Sequence, residues 1–265
     1  MSAADSVIVV EDLEVAYGDK VVLEGVSFEV RAGEIFVILG GSGSGKTTLL
    51  RNLVGLMQPR SGRILIGGRD FTAMSAHERM EMRRKIGMCF QSSALLGSLS
   101  IADNVALPLR EHTKLEESTI DIMTRIKLEL VGLGGVEDAL PSELSGGMRK
   151  RAGIARAMAM DPEMIFYDEP SAGLDPIVAA GLDQLIRTMQ STFNLTSVVV
   201  THEMESVKII ADRVCVLHKG RVAGIGTLEE LEESEHPYVR QFFARIPDDT
   251  NEIDPTYAKS LTDID

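Results

Sequence analysis

The sequence predicts an α/β fold with an antiparallel β layer beside the main sheet and a helical block inserted late in it. Three observations lead there. The short runs "EIFVILG", "KIGMCFQ", "MIFYDEP" and "SVVVTHE" are apolar enough to read as buried strands. Helical patterns separate most of them, as in α/β proteins. Residues 92 to about 160 are mostly helical in pattern and interrupt the strand series.

In chain order, strand-like stretches occupy 7–15, 21–30 and 35–39, with short turns at Gly18-Asp19 and Ala32-Gly33. These turns point to the antiparallel layer. A glycine-rich loop follows the third stretch, and a helix begins near Lys46. Residues 72–85 are polar and basic, a surface helix, and "KIGMCFQ" is a buried strand ending at Gln91. The helical block is broken at Pro108 and by a loop from Gly132 to Pro141. After the "MIFYDEP" and "SVVVTHE" strands, "RVCVLHKGRVAGIG" reads as a hairpin turning at Lys219-Gly220. There are no internal repeats. One domain is expected over 6–245, with the helical subdomain at about 92–160 and an acidic tail over 246–265.

The 265 residues carry a formal charge of −13. Part of the excess is local: Glu229, Glu230, Glu232, Glu233 and Glu235 crowd one stretch, and the tail adds six carboxylates against one lysine. This balance argues against a nucleic-acid partner, whose phosphates call for a basic face. Cys89 and Cys215 lie in apolar strands and read as reduced core thiols. No apolar run approaches the ~20 residues that span a bilayer, and the N-terminus has no basic region ahead of its short apolar run. The chain is expected in the cytosol unless a partner holds it at a membrane.

Gly40-x-x-x-x-Gly45-Lys46-Thr47 matches a P-loop in the strand–loop–helix setting that the motif requires. Backbone amides of Gly40, Gly41, Ser42, Gly43, Ser44 and Gly45 can wrap phosphates. Lys46 supplies a charge for the β- and γ-phosphates, and the Thr47 hydroxyl can ligate Mg²⁺. Such an ATPase also needs a metal-holding acid at the end of a neighbouring buried strand. Asp168 closes "MIFYD", and Glu169 follows it. Successive strand residues point to opposite faces, so Asp168 is expected at the metal and Glu169 outward, toward an arriving water. A second phosphate site stands at "LSGGMRKRAGIARAM", where Ser145, Gly146 and Gly147 open an amphipathic, four-cation helix.

The motifs from Gly40 to Thr48, with Gln91, "LSGG", Asp168-Glu169, Ser171 to Asp175 and His202, resemble in order and spacing those of the ATP-binding cassette (ABC) ATPase subunits. The resemblance covers roughly 7–235 and implies ATP and Mg²⁺ as cofactors. It also implies a head-to-tail dimer in which the signature Ser145, Gly146 and Gly147 of one chain touch the γ-phosphate on the other's P-loop. By the same resemblance Tyr17 stacks on adenine, Gln91 senses the metal and attacking water, and His202 reads the γ-phosphate. Asp175 crosses the dimer axis. Glu169 is the general base, whether it takes the proton early or chiefly positions the water. Met148 departs from the family, which carries glutamine there, so that outer contact is lost or replaced. His77, His112, His218 and His236 read as surface or packing residues. The cluster Arg79, Arg83, Arg84 and Lys85 reads as a solvated helix face, with a membrane-lipid contact as the alternative.

"FQSSALLGSLSIADNVALPLREHTKL", "LSGGMRKRAGIARAMAMDPE", "YDEPSAGLDPI" and "HPYVRQF" further resemble the ATPase of the Mla-type phospholipid system. That resemblance implies a motor at the cytoplasmic face of the inner membrane, held there by permease subunits and working with periplasmic MCE-type lipid-binding proteins. A small accessory protein of the STAS fold is a further partner it admits. The alternative is the ATPase of another transporter, such as a polar amino-acid importer; a soluble ABC protein of repair or translation comes last. The tail is either a solubilising end or a segment crossing to the other ATPase.

Overall fold

A computed structural model of the chain describes residues 6–247; the tail expected over 246–265 therefore lies almost wholly outside the described residues. Strands β1 (Ser6–Tyr17) and β2 (Lys20–Arg31) form an antiparallel hairpin, and β4 (Ser61–Ile66) and β5 (Arg69–Asp70) extend it into a four-stranded sheet ordered β2-β1-β4-β5. Sequence reading missed β4 and β5, although "RILI" followed by Gly67-Gly68 has the alternation and turn of a hairpin.

The third strand, β3 (Ile35–Leu39), does not join that layer. All five of its residues are buried, and it lies between β8 (Thr196–Thr201) and β9 (Arg213–His218), parallel to both. A strand apolar on both faces belongs inside a covered parallel sheet. With β6 (Ile86–Cys89), β7 (Met164–Asp168) and β10 (Arg221–Gly226), they form a six-stranded sheet ordered β10-β9-β3-β8-β7-β6. The period of two divides β3 between two cores. Ile35, Val37 and Leu39 pack toward the helical side; Phe36 and Ile38 pack toward the antiparallel layer and α1 (Lys46–Leu53).

The helical block comprises α3 (Ile101–His112), α4 (Glu117–Leu130) and α5 (Gly146–Ala157), which share one core with β3, β7 and β8. Pro108 does not break it. The proline sits inside α3, giving up one intrahelical bond while Ile101, Val105 and Leu109 keep the helix seated. Helix α2 (Ala76–Arg83) has no buried residue, and its Ser75–Glu78 capping box fixes its start. The nearby cations find partners within the chain: Arg79 on Met74 O, Arg83 on Gly55 O, Arg84 on Glu81 and Lys85 on Glu163. Helices α6 (Pro176–Phe193), α7 (Met204–Ile210), α8 (Leu228–Glu232) and α9 (Pro237–Phe243) complete the described chain. Cys89 and Cys215 are free and buried, and burial pushes both thiols up to about 12. Among the described residues no helix is long and apolar enough to cross a membrane.

Candidate active site

The glycine-rich loop leaves the end of β3 and turns into α1. Gly45, the residue before α1, adopts φ 104, which a side chain rarely allows. Gly40 passes so close to the carbonyl of Leu217 that no Cβ fits there. The loop is also pinned from outside: Gly220 N–H donates to Ser44 O at 3.1 Å, and Glu24 N–H donates to Gly220 O at 2.9 Å. The hairpin that carries Val22 and Glu24 ends at Tyr17, paired with Lys20 and 48% exposed. An aromatic face is thus open to solvent at the turn end of that hairpin.

Lys46 is buried, and its Nζ donates to Gly40 O at 2.8 Å and Gly41 O at 3.1 Å. Burial pulls its pKa below the ordinary lysine value, while Glu169 and Asp168 oppose that shift. Asp168, half-buried at the end of β7, has its pKa raised, first by burial and then by Glu169. Its Oδ1 is buried without a protein partner, as is Ser44 Oγ. A carboxylate so placed needs a cation or donor supplied from outside the protein. Among the described residues no cluster of three His, Cys, Asp or Glu makes an all-protein metal cage. Asp168 offers hard oxygens of the sort that hold Mg²⁺ together with substrate phosphates, so this orphaned carboxylate fits that ion.

Glu169 corrects the outward placement expected from strand alternation. It lies past the end of β7 with φ 47, so the period of two no longer applies. Its N–H donates to Val200 O at 2.8 Å, and its carboxylate is buried against His202, with both oxygens 2.9 Å from Nδ1. A carboxylate only accepts, so Nδ1 carries the proton of this pair. The two residues form one unit that can accept a proton from a water and hold the carboxylate in place meanwhile.

The signature serine and glycines are grouped elsewhere. Ser145 caps α5, its Oγ accepting from Met148 N–H at 3.3 Å. Asp175 caps α6, accepting from the amides of Ile177 and Val178 at 3.1 Å. These two helix starts touch: a Cβ on Gly147 would lie 2.5 Å from Val178 Cγ1, and one on Gly146 would lie 3.4 Å from Leu174. Glycine at 147 therefore serves helix packing as well as any anion. Gly147→Ala should cost about 1–3 kcal/mol through overpacking, read as a lowered melting temperature, and Val178→Ala in the same chain should restore it. A melt unchanged by Gly147→Ala would show that the two helix starts do not constrain each other.

Sequence reading missed Tyr238. Its hydroxyl accepts from the Gly41 N–H at 3.3 Å, and its ring stacks on His218 with centroids 3.5 Å apart. The pair brings α9 onto the phosphate loop across a separation of 197 residues, a contact with no local pattern to announce it.

A phosphate-wrapping loop with its lysine, a half-buried acid beside it and a histidine-held carboxylate define a P-loop ATPase. The ABC transporter family model matches residues 23–172, and the chain belongs to that family. The ATP-binding protein MlaF of the intermembrane phospholipid transport system of Haemophilus influenzae is 44% identical over 237 residues, 89% of this chain and 90% of that one. The probable ribonucleotide transport ATP-binding protein mkl of Mycobacterium leprae is 45% identical over 233 residues, 88% of this chain and 67% of that one. This chain thus spans about two thirds of the mycobacterial relative. Among solved structures, the dimeric post-hydrolysis state of the ATP-binding cassette MJ0796 with ADP and Pi superposes with a TM-score of 0.77 at 29% identity, over 83% of this chain and 98% of that one. The chain is an ATP-binding, ATP-hydrolysing subunit of the ABC type.

Proposed function

We propose that this chain is the motor of an inner-membrane complex that moves phospholipid between the inner and outer membranes. The observation that carries the reading is its match to the phospholipid-system ATPase of H. influenzae over 90% of that protein's length. Two chains sandwich two ATP molecules, each P-loop facing the partner's Ser145, Gly146 and Gly147. Tyr17 stacks on the base. Thr47, Asp168 and Gln91 would hold Mg²⁺, which would supply positive charge beside the phosphates. Lys46 and the loop amides orient the phosphates, Glu169 takes or directs the proton of the water, and His202 holds Glu169. Asp175, beside the signature in the described chain, faces the dimer axis.

A groove of about 600 Å³ supports attachment to a permease. Its lining includes Met80, Phe90, Leu107, Pro108, Arg156 and Met160. It is largely apolar, it is formed partly by the 92–110 segment, and it lies beside the strand that leads to Gln91. A permease element seated there would place the chain at the cytoplasmic face of the inner membrane and reach the site through Gln91. Periplasmic MCE-type proteins would then handle the lipid, which this chain never touches. A STAS-fold protein is the least supported partner.

The mycobacterial relative, at 45% identity, favours a second reading, an ABC transporter for another cargo such as a nucleotide. Purification of the chain from solubilised membranes, with its partners identified, separates the two. An MCE-domain protein in the complex is the expected result. A solute-binding protein with no MCE protein overturns the phospholipid reading and leaves the ATPase intact.

A further inference from the structure

The four cations of α5 are half-buried, and all of them donate to backbone carbonyls. Arg149 reaches Leu144 O; Arg151 reaches Val131 O and Gly181 O; Arg156 reaches Ser93 O and Ala94 O. Lys150 differs in where it reaches. Its Nζ donates to Gln91 O at 2.7 Å and to Glu169 O at 3.1 Å. One ammonium therefore joins the backbones of two site residues to the helix that begins at Ser145.

Glu169 needs such support. Its φ of 47 is a conformation that strains a non-glycine residue, and it persists only where surrounding contacts over-determine it. β8 holds its N–H through Val200, α5 holds its carbonyl through Lys150, and His202 holds its carboxylate. Gln91 is gripped in the same way, since Lys150 takes its carbonyl and Arg156 takes the next turn at Ser93 and Ala94. Burial lowers the Lys150 pKa, but an ammonium bonded to two carbonyls keeps its donors where they are used.

We infer that Lys150 is a positioning residue for ATP hydrolysis, linking the placement of α5 to the backbones of Gln91 and Glu169 within one chain. The inference rests on Glu169 acting on the attacking water. It adds a route between the two ATP sites: a shift of α5 when Ser145 meets the partner's nucleotide is felt at the chain's own carboxylate.

Lys150→Met keeps length and removes every donor. In the full chain it should lower kcat by up to about 10²-fold, the cost of a small misplacement at the reacting centre, while ATP half-saturation moves less than about two-fold. Lys150→Gln, with one amide donor group, should recover part of the loss. If the methionine variant does not fold, the glutamine variant carries the same two readouts. In a Glu169→Gln background, single-turnover phosphate release should show a smaller fractional loss from either substitution, because only the link to Gln91 still acts. A kcat within about two-fold of wild type, or the same fractional loss in both backgrounds, overturns the inference. Failure of the underlying reading looks different: Glu169→Gln alone would then hydrolyse ATP at close to the wild-type rate.

Discussion

Glu169→Gln should keep ATP bound and slow its hydrolysis severely. Glutamine has nearly the same size, and its carbonyl can still accept from His202 Nδ1, which contacts both carboxylate oxygens at 2.9 Å. It cannot accept a proton from water. Loss of a general base of this kind costs roughly 10²–10⁴-fold in rate. Binding should survive, because the proposed site leaves the phosphates to Lys46 and the loop amides rather than to Glu169. The variant should therefore accumulate as a nucleotide-dependent dimer with ATP trapped between chains. Asp168→Asn should not copy it, because Asp168 is the half-buried acid whose Oδ1 has no protein partner. Sizing both variants with Mg²⁺ and ATP, alongside phosphate release, checks this. A dimer from Asp168→Asn and none from Glu169→Gln would reverse the two roles.

Lys46→Ala and Ser145→Arg should fail in opposite ways. The first removes the buried ammonium that bonds Gly40 O and Gly41 O, so the loop loses both its tether and its charge toward phosphate. A charge-assisted hydrogen bond contributes about 1.5–3 kcal/mol, which predicts a loss of ATP affinity of roughly 10–100-fold. Ser145→Arg leaves the P-loop untouched and puts bulk and charge where the partner's phosphate would sit, so affinity holds and hydrolysis ends. It also removes the cap on Met148 N–H, a loss of about 1 kcal/mol. Ser145→Ala isolates that smaller effect. Titration with a fluorescent ATP analogue separates the variants. Equal loss of affinity in both would contradict a site split between chains.

Much of this was legible because the strongest signals are local. The P-loop, the apolar β3, β7 and β8 runs and the acid ending β7 each need only a few adjacent residues. The errors arose where tertiary packing overrode a local rule. Pro108 reads as a break until Ile101, Val105 and Leu109 are seen seated in the core. The first three strands read as one layer until β3 is buried on both faces between β8 and β9. Strand alternation placed Glu169 outward, and a single left-handed residue undid it. The partners of Lys150 lie 59 and 19 residues away, and that of Tyr238 lies 197 away. No periodicity reports contacts of that span.

The carbonyl partners of the α5 cations set this helix apart from the chain's surface pairs. Lys85–Glu163 and Arg110–Glu117 join exposed charges of opposite sign, so dissolved ions weaken them. A peptide oxygen is a dipole with no net charge, so each α5 contact has one charge to screen where a surface pair has two. The grip of α5 on its neighbours therefore depends less on ionic strength than those pairs do, and brine that loosens the outer shell of the molecule would leave the hydrogen bonds of Lys150 to Gln91 and Glu169 in place.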